Sequence, residues 1–197
     1  MAQNAPKIER FTVTESLEYA LVNLSEFAAF SGREEKRPNE KGAALHLVNH
    51  VCGEGSEILY EKSGKPFLKG GPYISITHSH DYLAVIFCTS GPVGIDIEKV
   101  RDKIINIRRK FMSAEELKQV NDVSLEEHTV YWCAKEALYK AAGIEGLIFA
   151  DQLYIEPFTF SENGGEIKAR LKHDNSEKKY NLQYRVLNGH ILVYTLF

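Results

Sequence analysis

Two histidines and an aspartate stand close together in the sequence, in an arrangement that could hold a metal ion. His78, His80 and Asp81 lie within one short stretch. Imidazole and carboxylate groups are common ligands of zinc. A hydrolase of this kind would carry a further histidine just after the aspartate, and this chain has Tyr82 there. A metal-dependent hydrolase that uses His78 and His80 is therefore one hypothesis for the remaining residues to test.

A second group of residues that could take part in chemistry consists of carboxylates at alternate positions of an apolar segment. Residues 93–99 read Val-Gly-Ile-Asp-Ile-Glu-Lys and predict a β-strand. Because side chains alternate across a strand, Ile95 and Ile97 are expected to face a core. Asp96 and Glu98 would then share the opposite face, where two carboxylates repel one another unless a cation lies between them. Oxygen ligands of this kind suit Mg²⁺, although an exposed edge-strand face would show the same pattern.

A third group lies further along the chain, in a segment of helical character. Trp132, Glu136 and Lys140 recur at the spacing that places side chains along one stripe of a helix, with Lys135 beside them. Taken alone, Glu136 and Lys140 could be an exposed ion pair worth about 0.3–0.5 kcal/mol. Trp132 is expected to pack at least partly in the core.

Composition restricts the classes of partner. The 197 residues are 44% hydrophobic and 26% charged, which suits one large globular domain or two small ones. A net charge of −3 gives no basic field, so we expect no nucleic-acid partner. No apolar run approaches the roughly 20 residues that cross a membrane, and the N-terminal residues do not resemble a signal peptide. Three separated cysteines argue against a disulfide framework, so we expect a cytoplasmic protein with buried or inert thiols.

The order of predicted elements favours an α+β architecture with a seam near residues 90–92. For the first half we predict a strand at residues 8–13, a helix capped by Thr14 and a second helix over about residues 39–51. Further strands are predicted at residues 58–60, 73–77 and 82–88.

For the second half we predict a strand at residues 94–98 and two helix starts, each marked by a capping box. The boxes begin at Ser113 and Ser124, and the second opens a long helix that Gly143 ends. Strands are predicted at residues 152–160, 166–171, 180–187 and 190–196, with Asn163-Gly164 and Asn188-Gly189 as hairpin turns.

Four stretches together resemble the 4′-phosphopantetheinyl transferases. The family pattern is a Gly-[Ile/Val]-Asp-x-Glu strand followed by a Trp-x-x-Lys-Glu-x-x-x-Lys helix, and residues 94–98 and 132–140 match it in that order. Gly64-Lys65-Pro66 and Ile76-Thr77-His78-Ser79 are similar to the Gly-Lys-Pro and Ile-Ser-His-Ser motifs of the longer, surfactin-synthetase-activating type. The resemblance covers residues 60–150.

The resemblance implies an enzyme that transfers the 4′-phosphopantetheine group of coenzyme A to a serine of an apo carrier protein and releases 3′,5′-ADP. It implies that Asp96, Glu98 and Glu136 hold Mg²⁺, with Mn²⁺ as the alternative metal. Lys135 and Lys140 would lie at the phosphates. Asp96, Glu136 and Lys140 are the implied catalytic residues, and the base is either Glu136 or a metal-bound water.

The resemblance also implies groups that bind the nucleotide and phosphates of coenzyme A. These are Lys36, Arg37, Lys41, Lys65, His78 and Ser79, with Arg33 as a further member of the basic stretch. Many relatives carry a Thr/Ser-Arg pair in the following helix, where this chain has Ala44-Leu45, so weaker coenzyme A binding or different contacts are expected. With His78 assigned to phosphate, His80 and Asp81 are interpreted as turn residues between two strands.

Carrier proteins are acidic, and a basic and apolar segment of this chain is the predicted docking surface. Ile104, Arg108, Arg109 and Phe111 are the expected contact residues. The alternative is an amphipathic helix whose isoleucines face the core.

The chain length fits the longer type of the family, which implies two pseudo-symmetric α/β halves packed as one monomer. The N-terminal half, residues 1–91, would contact the nucleotide, and the C-terminal half, residues 92–197, would carry the metal site and carrier docking. The active site is expected in the cleft between these halves. Two alternatives stay open: a catalytically impaired coenzyme A-binding protein of the same fold, and the hydrolase that uses His78 and His80.

Overall fold

The computed structural model describes residues 5–32 and 36–196, and the chain divides into two compact units. Unit 1 is Met1–Val93 and unit 2 is Gly94–Phe197. Each unit has its own sheet, helices and hydrophobic core, which confirms the predicted mixture of helices and strands. Within the described ranges, no helix is both long enough and apolar enough to cross a membrane.

The described residues of unit 1 form a four-stranded antiparallel sheet, a small hairpin and two helices. Its elements are β1 (Ile8–Thr14), β2 (Leu17–Asn23), α1 (Leu24–Ser31), α2 (Lys36–Cys52), β3 (Ile58–Tyr60), β4 (Pro66–Leu68), β5 (Tyr73–Ser79) and β6 (Tyr82–Cys88). The strand order is β1-β2-β6-β5, and β3 pairs with β4. Helix α2 packs on the sheet, where Ala43, Leu47 and Val48 join Val85 in the core.

One predicted helix is wrong. The segment that Thr14 was expected to cap forms β2, which pairs with β1 on one side and β6 on the other. Because most of β2 is buried, its apolar residues do not alternate with polar ones and mimic helical spacing. Helix α1 begins only at Leu24, where the side chain of Asn23 accepts hydrogen bonds from two backbone N–H groups of the first turn.

In the described part of unit 2, residues 94–196, a five-stranded antiparallel sheet is covered by one long helix. Its elements are β7 (Ile95–Lys99), α3 (Lys103–Ile107), α4 (Leu125–Ala142), α5 (Phe149–Gln152), β8 (Leu153–Ile155), β9 (Gly165–His173), β10 (Ser176–Leu187) and β11 (His190–Thr195), with 3₁₀ turns at Arg108–Lys110 and Glu116–Lys118. The strand order is β7-β11-β10-β9-β8. The short strand β7 is therefore an edge strand whose partner is β11.

The turns of unit 2 agree with the sequence in part. Asn188 and Gly189 have φ values of 46° and 73° and form the predicted two-residue hairpin between β10 and β11. The hairpin between β9 and β10 turns at Asp174 and Asn175, whose φ values are also positive, and no turn was predicted there. Asn163-Gly164 lies before β9, where the backbone N–H of Gly164 donates to the carbonyl of Ser161.

Both predicted capping boxes cap a helical segment. The backbone N–H of Ser113 donates to Oε2 of Glu116 at 2.7 Å, and the backbone N–H of Glu116 donates to Oγ of Ser113 at 3.1 Å. Ser124 caps α4 by accepting a hydrogen bond from the backbone N–H of Glu127, and Gly143 ends this helix with a φ of 64°. The first box opens only a short 3₁₀ turn, whereas the second opens the helix that carries the candidate chemistry.

Gly94 lies where the backbone of α4 meets the start of β7. A Cβ added to Gly94 would lie 1.8 Å from the carbonyl oxygen of Ala137 and 2.9 Å from the backbone nitrogen of Ala141. No side chain fits in that space, so only glycine allows the helix and the strand to approach so closely. Ala134 and Ala137 are fully buried on the same helix, which keeps the contact free of bulky groups.

A buried ion pair fixes α4 within unit 2. Nζ of Lys135 lies 2.7 Å from Oε2 of Glu116, and both side chains are completely buried. Lys135 also donates to the carbonyl of Phe149 at 3.0 Å. The backbone N–H groups of Ser113 and Ile155 donate to the Glu116 carboxylate, so both of its oxygens have partners. Burial lowers the pKa of Lys135, and the neighbouring Glu116 opposes that change.

We expect Gly94→Ala to lower the free energy of unfolding by about 3 kcal/mol or more, because the new methyl group collides with helix backbone that cannot move aside. Urea denaturation followed by circular dichroism measures the change. Gly189→Ala is the control: Gly189 has open space around it, so only the left-handed conformation opposes the substitution, at about 1–2 kcal/mol. A Gly94→Ala protein as stable as the wild type would refute the close contact.

We expect Lys135→Met to lower the free energy of unfolding by about 3–5 kcal/mol, because it leaves the buried Glu116 carboxylate without its cation. Lys172→Met is the matched control. Nζ of Lys172 lies 3.7 Å from Glu177 in an exposed pair, and its loss should change stability by no more than about 1 kcal/mol. Equal effects of the two substitutions in urea denaturation would contradict the assignment of Lys135 to the core.

Candidate active site

The candidate catalytic residues of unit 2 meet where α4 crosses β7. Asp96 is only 5% exposed, and its Oδ1 accepts a hydrogen bond of 2.7 Å from Nζ of Lys140. The same ammonium group donates to the carbonyl oxygen of Ile95 at 3.0 Å. A strand and a helix that are distant in sequence thus bring a carboxylate and an ammonium group together.

Glu136 shares the electrostatic environment of this pair. Burial raises the pKa of Glu136 to about 7, and the negative charge of Asp96 is the next largest cause. Glu98 raises the pKa further, whereas Lys140 lowers it. The charges of Asp96 and Glu98 thus both act on the Glu136 carboxyl group. Such crowding of like charges is typical of functional sites.

The donor chemistry of this cluster suits a hard divalent cation. Three carboxylates offer oxygen ligands of the kind that Mg²⁺ prefers, and burial together with the charges of Asp96 and Glu98 raises the pKa of Glu136. Within residues 5–32 and 36–196, however, no three His, Cys, Asp or Glu side chains are arranged as a complete metal-ligand group. The residue types therefore fit the metal, while Lys140 is the cation that contacts Asp96 here.

The structure places Lys135 away from this cluster, which corrects its predicted role. Its ammonium group is buried and is held by Glu116 and by the carbonyl of Phe149. Consecutive residues of an α-helix are about 100° apart around its axis, so the side chains of Lys135 and Glu136 point in different directions. Lys135 stabilises the fold and is not available to a phosphate.

The predicted apolar docking contacts also lie in the core. Ile104 is 6% exposed and Phe111 is 1% exposed. The ring of Phe111 packs edge-on against Trp132 at 5.1 Å, which confirms that Trp132 is in part a packing residue. Arg108 binds the backbone carbonyl of Asp122, whereas Arg109 is exposed. The alternative interpretation of this segment, an amphipathic helix with its apolar side inward, is the correct one.

Unit 1 has a small pocket that combines cations with an apolar wall. Its volume is about 160 Å³, and its lining residues are Arg37, Glu40, Lys41, Ala44, Tyr60, Ile76, His78 and Leu83. Three of the predicted coenzyme A ligands, Arg37, Lys41 and His78, therefore come together. Ala44 contributes no polar atom to this wall.

The other predicted ligands of unit 1 lie elsewhere. Lys36 is 78% exposed and its Nζ lies 3.8 Å from Glu40, at the border of the pocket. Lys65 lines a different pocket beside Pro66. Ser79 is buried and follows His78 directly on β5, so the two side chains point to opposite faces of the sheet. Arg33 lies outside the described residues.

The pair of histidines does not form one site. His80 and Asp81 make the turn between β5 and β6, as predicted, and His80 has a φ of 49°. Nδ1 of His80 lies 3.5 Å from its neighbour Asp81, whereas Nδ1 of His78 lies 3.3 Å from Glu40. Each imidazole is thus engaged with a different carboxylate.

Sequence reasoning missed two residues of the unit 1 pocket, Glu40 and Tyr60. Glu40 lies one helical turn after Lys36, a spacing that by itself indicates an exposed ion pair. Tyr60 belongs to a strand of three residues and is 55% exposed. Neither residue carries a local signal, because each lines the pocket with residues that are distant in sequence: Glu40 lies beside His78 of β5, and Tyr60 comes from β3.

Comparisons with known proteins identify the family. Residues 92–194, more than half of the chain, match the 4′-phosphopantetheinyl transferase superfamily. The chain is 33% identical over 95 residues to a 4′-phosphopantetheinyl transferase of Bacillus subtilis (45% of this chain, 42% of that protein). It is 30% identical over 110 residues to the transferase psf-1 of Bacillus pumilus (49% and 47%) and 31% identical over 109 residues to the transferase AcpT of Escherichia coli K12 (51% and 56%).

The chain spans about half the length of the curated relatives that it matches. The matched family segment includes the whole cluster of Asp96, Glu98, Glu136 and Lys140. The motifs, the contact between Asp96 and Lys140 and the family match agree, and the chain belongs to the 4′-phosphopantetheinyl transferase superfamily.

Proposed function

We propose that the protein transfers the 4′-phosphopantetheine group of coenzyme A to a serine of an apo carrier protein. The observation that carries this proposal is the contact between Asp96 and Lys140, with Glu136 coupled to both, inside the segment that matches the family. The curated relatives are named for this transferase activity.

In the proposed reaction, the serine oxygen attacks the phosphorus atom that bears the pantetheine arm. A new P–O bond forms to serine, the P–O bond to the nucleotide breaks, and 3′,5′-ADP leaves with the electron pair. Glu136 accepts the serine proton, directly or through a water molecule. Because the serine belongs to the carrier, the enzyme itself forms no covalent intermediate.

Asp96, Glu98 and Glu136 are the proposed ligands of Mg²⁺, with Mn²⁺ as the alternative. A divalent cation bound there supplies positive charge to the diphosphate oxygens and relieves the repulsion among the carboxylates. Lys140 is 27% exposed and keeps its ammonium group at the edge of the cluster. It is proposed to donate to a diphosphate oxygen and to stabilise the charge that develops on the leaving group.

The pocket of unit 1 is proposed to bind the nucleotide end of coenzyme A. Arg37, Lys41 and His78 would neutralise the 3′-phosphate, and the exposed ring of Tyr60 offers a face for the adenine. Lys36 and Lys65 are proposed as outer cations. Ser79 and Lys135 are left out of this assignment because both are buried away from the groups just named.

The carrier partner is proposed to be an acidic acyl or peptidyl carrier protein, attracted in part by exposed cations such as Arg109. Two pseudo-symmetric halves, a monomeric state and a cytoplasmic location stay predictions. The hydrolase hypothesis is not carried further, because His78 and His80 contact different carboxylates.

The direct test is to incubate the protein with coenzyme A, Mg²⁺ and a panel of apo carrier proteins, and to weigh each carrier by mass spectrometry. We expect at least one carrier to gain the mass of the phosphopantetheine arm on its serine. Coenzyme A binding without transfer to any carrier of the panel would favour the catalytically impaired alternative.

We expect Glu136→Gln to reduce the transfer rate at least about 100-fold, because it removes the proposed proton acceptor and a metal ligand. The fold should persist, since Glu136 is not part of the buried Lys135–Glu116 network. The matched control is Glu145→Gln, an exposed position after the end of α4 that should keep the wild-type rate. Full activity of Glu136→Gln would remove this residue from the site.

Removal of divalent cations with EDTA is expected to abolish transfer, and excess Mg²⁺ should restore it. Asp96→Asn should weaken Mg²⁺ binding by at least about 10-fold, measured by titration calorimetry without coenzyme A, because one charged ligand is lost. Transfer that persists in EDTA would argue against the proposed metal site.

A further inference from the structure

Glu40 is the only acidic residue among the described lining residues of the unit 1 pocket. Its side chain is 12% exposed, and its Oε1 lies 3.3 Å from Nδ1 of His78 and 3.8 Å from Nζ of Lys36. A carboxylate beside an anion-binding pocket would be expected to repel phosphate. The position of Glu40 therefore needs an explanation that the family motifs do not give.

The contact with His78 supplies that explanation. An imidazole has two ring nitrogens, and a carboxylate that lies beside Nδ1 favours the ring orientation in which Nδ1 points toward it. The other nitrogen, Nε2, is then left to a ligand. Carboxylates act in this way behind histidines that bind metals, where they set the direction and the protonation of the ring.

The fold places Glu40 well for this role. His78 lies near the end of β5 and is 46% exposed, whereas Glu40 belongs to α2, which covers the sheet. The other charged groups that line the pocket, Arg37 and Lys41, lie on the same helix, and the phenol of Tyr60 faces it from β3. Glu40 is thus less exposed than the imidazole beside it.

We propose that Glu40 is a positioning residue for His78 and that this pair sets the preference of the pocket for ligands that carry a 3′-phosphate. The proposal rests on the proposed function, because it assumes that the pocket binds coenzyme A. A positioning role and simple charge repulsion predict opposite changes in coenzyme A affinity when Glu40 is removed. If Glu40 only repelled the phosphate, its removal would tighten binding, whereas a positioning role predicts weaker binding.

The test compares coenzyme A with dephospho-coenzyme A, which lacks only the 3′-phosphate. Titration calorimetry is carried out on the wild type, Glu40→Ala, His78→Ala and the double variant. We expect Glu40→Ala to weaken coenzyme A binding about 10-fold and to change dephospho-coenzyme A binding less than about 2-fold. The double variant should bind coenzyme A no more weakly than His78→Ala within about 2-fold, because the two residues act as one unit.

Two further variants control for charge and fold. Glu54→Ala removes an exposed acid shortly after α2 and should leave both affinities unchanged. Glu40→Gln keeps an oxygen that can accept from Nδ1 and should lie between the wild type and Glu40→Ala. Thermal unfolding by circular dichroism verifies that each variant is folded before its affinity is compared.

Tighter binding of coenzyme A by Glu40→Ala, equal losses for both ligands, or additive losses in the double variant would each overturn the proposal. If the wild type binds coenzyme A and the Glu40→Ala variant binds it with the same affinity, the role of Glu40 is refuted while the proposed function is not. A wild type that binds neither ligand would refute the proposed function, and the role of Glu40 with it.

Discussion

The contact between Gly94 and the backbone of α4 is the constraint on which the candidate site of unit 2 depends. Lys140 reaches the carboxylate of Asp96 and the carbonyl of Ile95 because nothing larger than hydrogen separates the helix from the start of β7. The buried pair of Lys135 and Glu116 then sets the rotation of the helix about its axis. With Lys135 directed into the core, its neighbour Glu136 turns toward the acidic strand.

Placing Glu136 in this buried position near Asp96 and Glu98 costs free energy when all three groups are ionised, as the raised pKa of Glu136 shows. The pKa of Glu136 in the folded protein is about 7, above its ordinary value of 4.5. A carboxyl group whose pKa rises on folding favours the folded state while it is protonated, and that contribution is lost as the pH rises through 4.5 toward 7. At higher pH the three carboxylates repel one another, and the ammonium group of Lys140 offsets only part of this repulsion. Proteins keep such local conflicts where function requires them.

The sequence predicted best what is decided locally. The capping boxes at Ser113 and Ser124 and the turn at Asn188-Gly189 need only a few neighbouring residues, and all three occur. The segment Leu17–Asn23 has the spacing of a helix because burial on both faces removes the alternation that identifies a strand. The turn at Asp174-Asn175 was missed because it lies within polar sequence without a glycine.

The roles of individual side chains were harder to predict, since they depend on residues far away in the chain. The motif that Lys135 shares with Lys140 predicts a position at the phosphates, yet the partner of Lys135 is Glu116, nineteen positions earlier. Ile104 and Phe111 look like an exposed apolar contact until the packing of Trp132 is known. The contact between Glu40 and His78 joins a helix to a strand, and no local sequence pattern predicts it.

The pairing of β7 has a consequence for how the protein is made. Asp96 lies on a strand whose sole described partner in the sheet is β11, where Val193 stands opposite it. Nearly all of unit 2 lies between them in sequence, so a ribosome must synthesise the whole unit before this ladder can form. Contacts between such distant segments form slowly. The strand that carries Asp96 and Glu98 is therefore among the last parts of the nascent chain to pair, and until then it presents an unpaired edge of the kind that promotes aggregation.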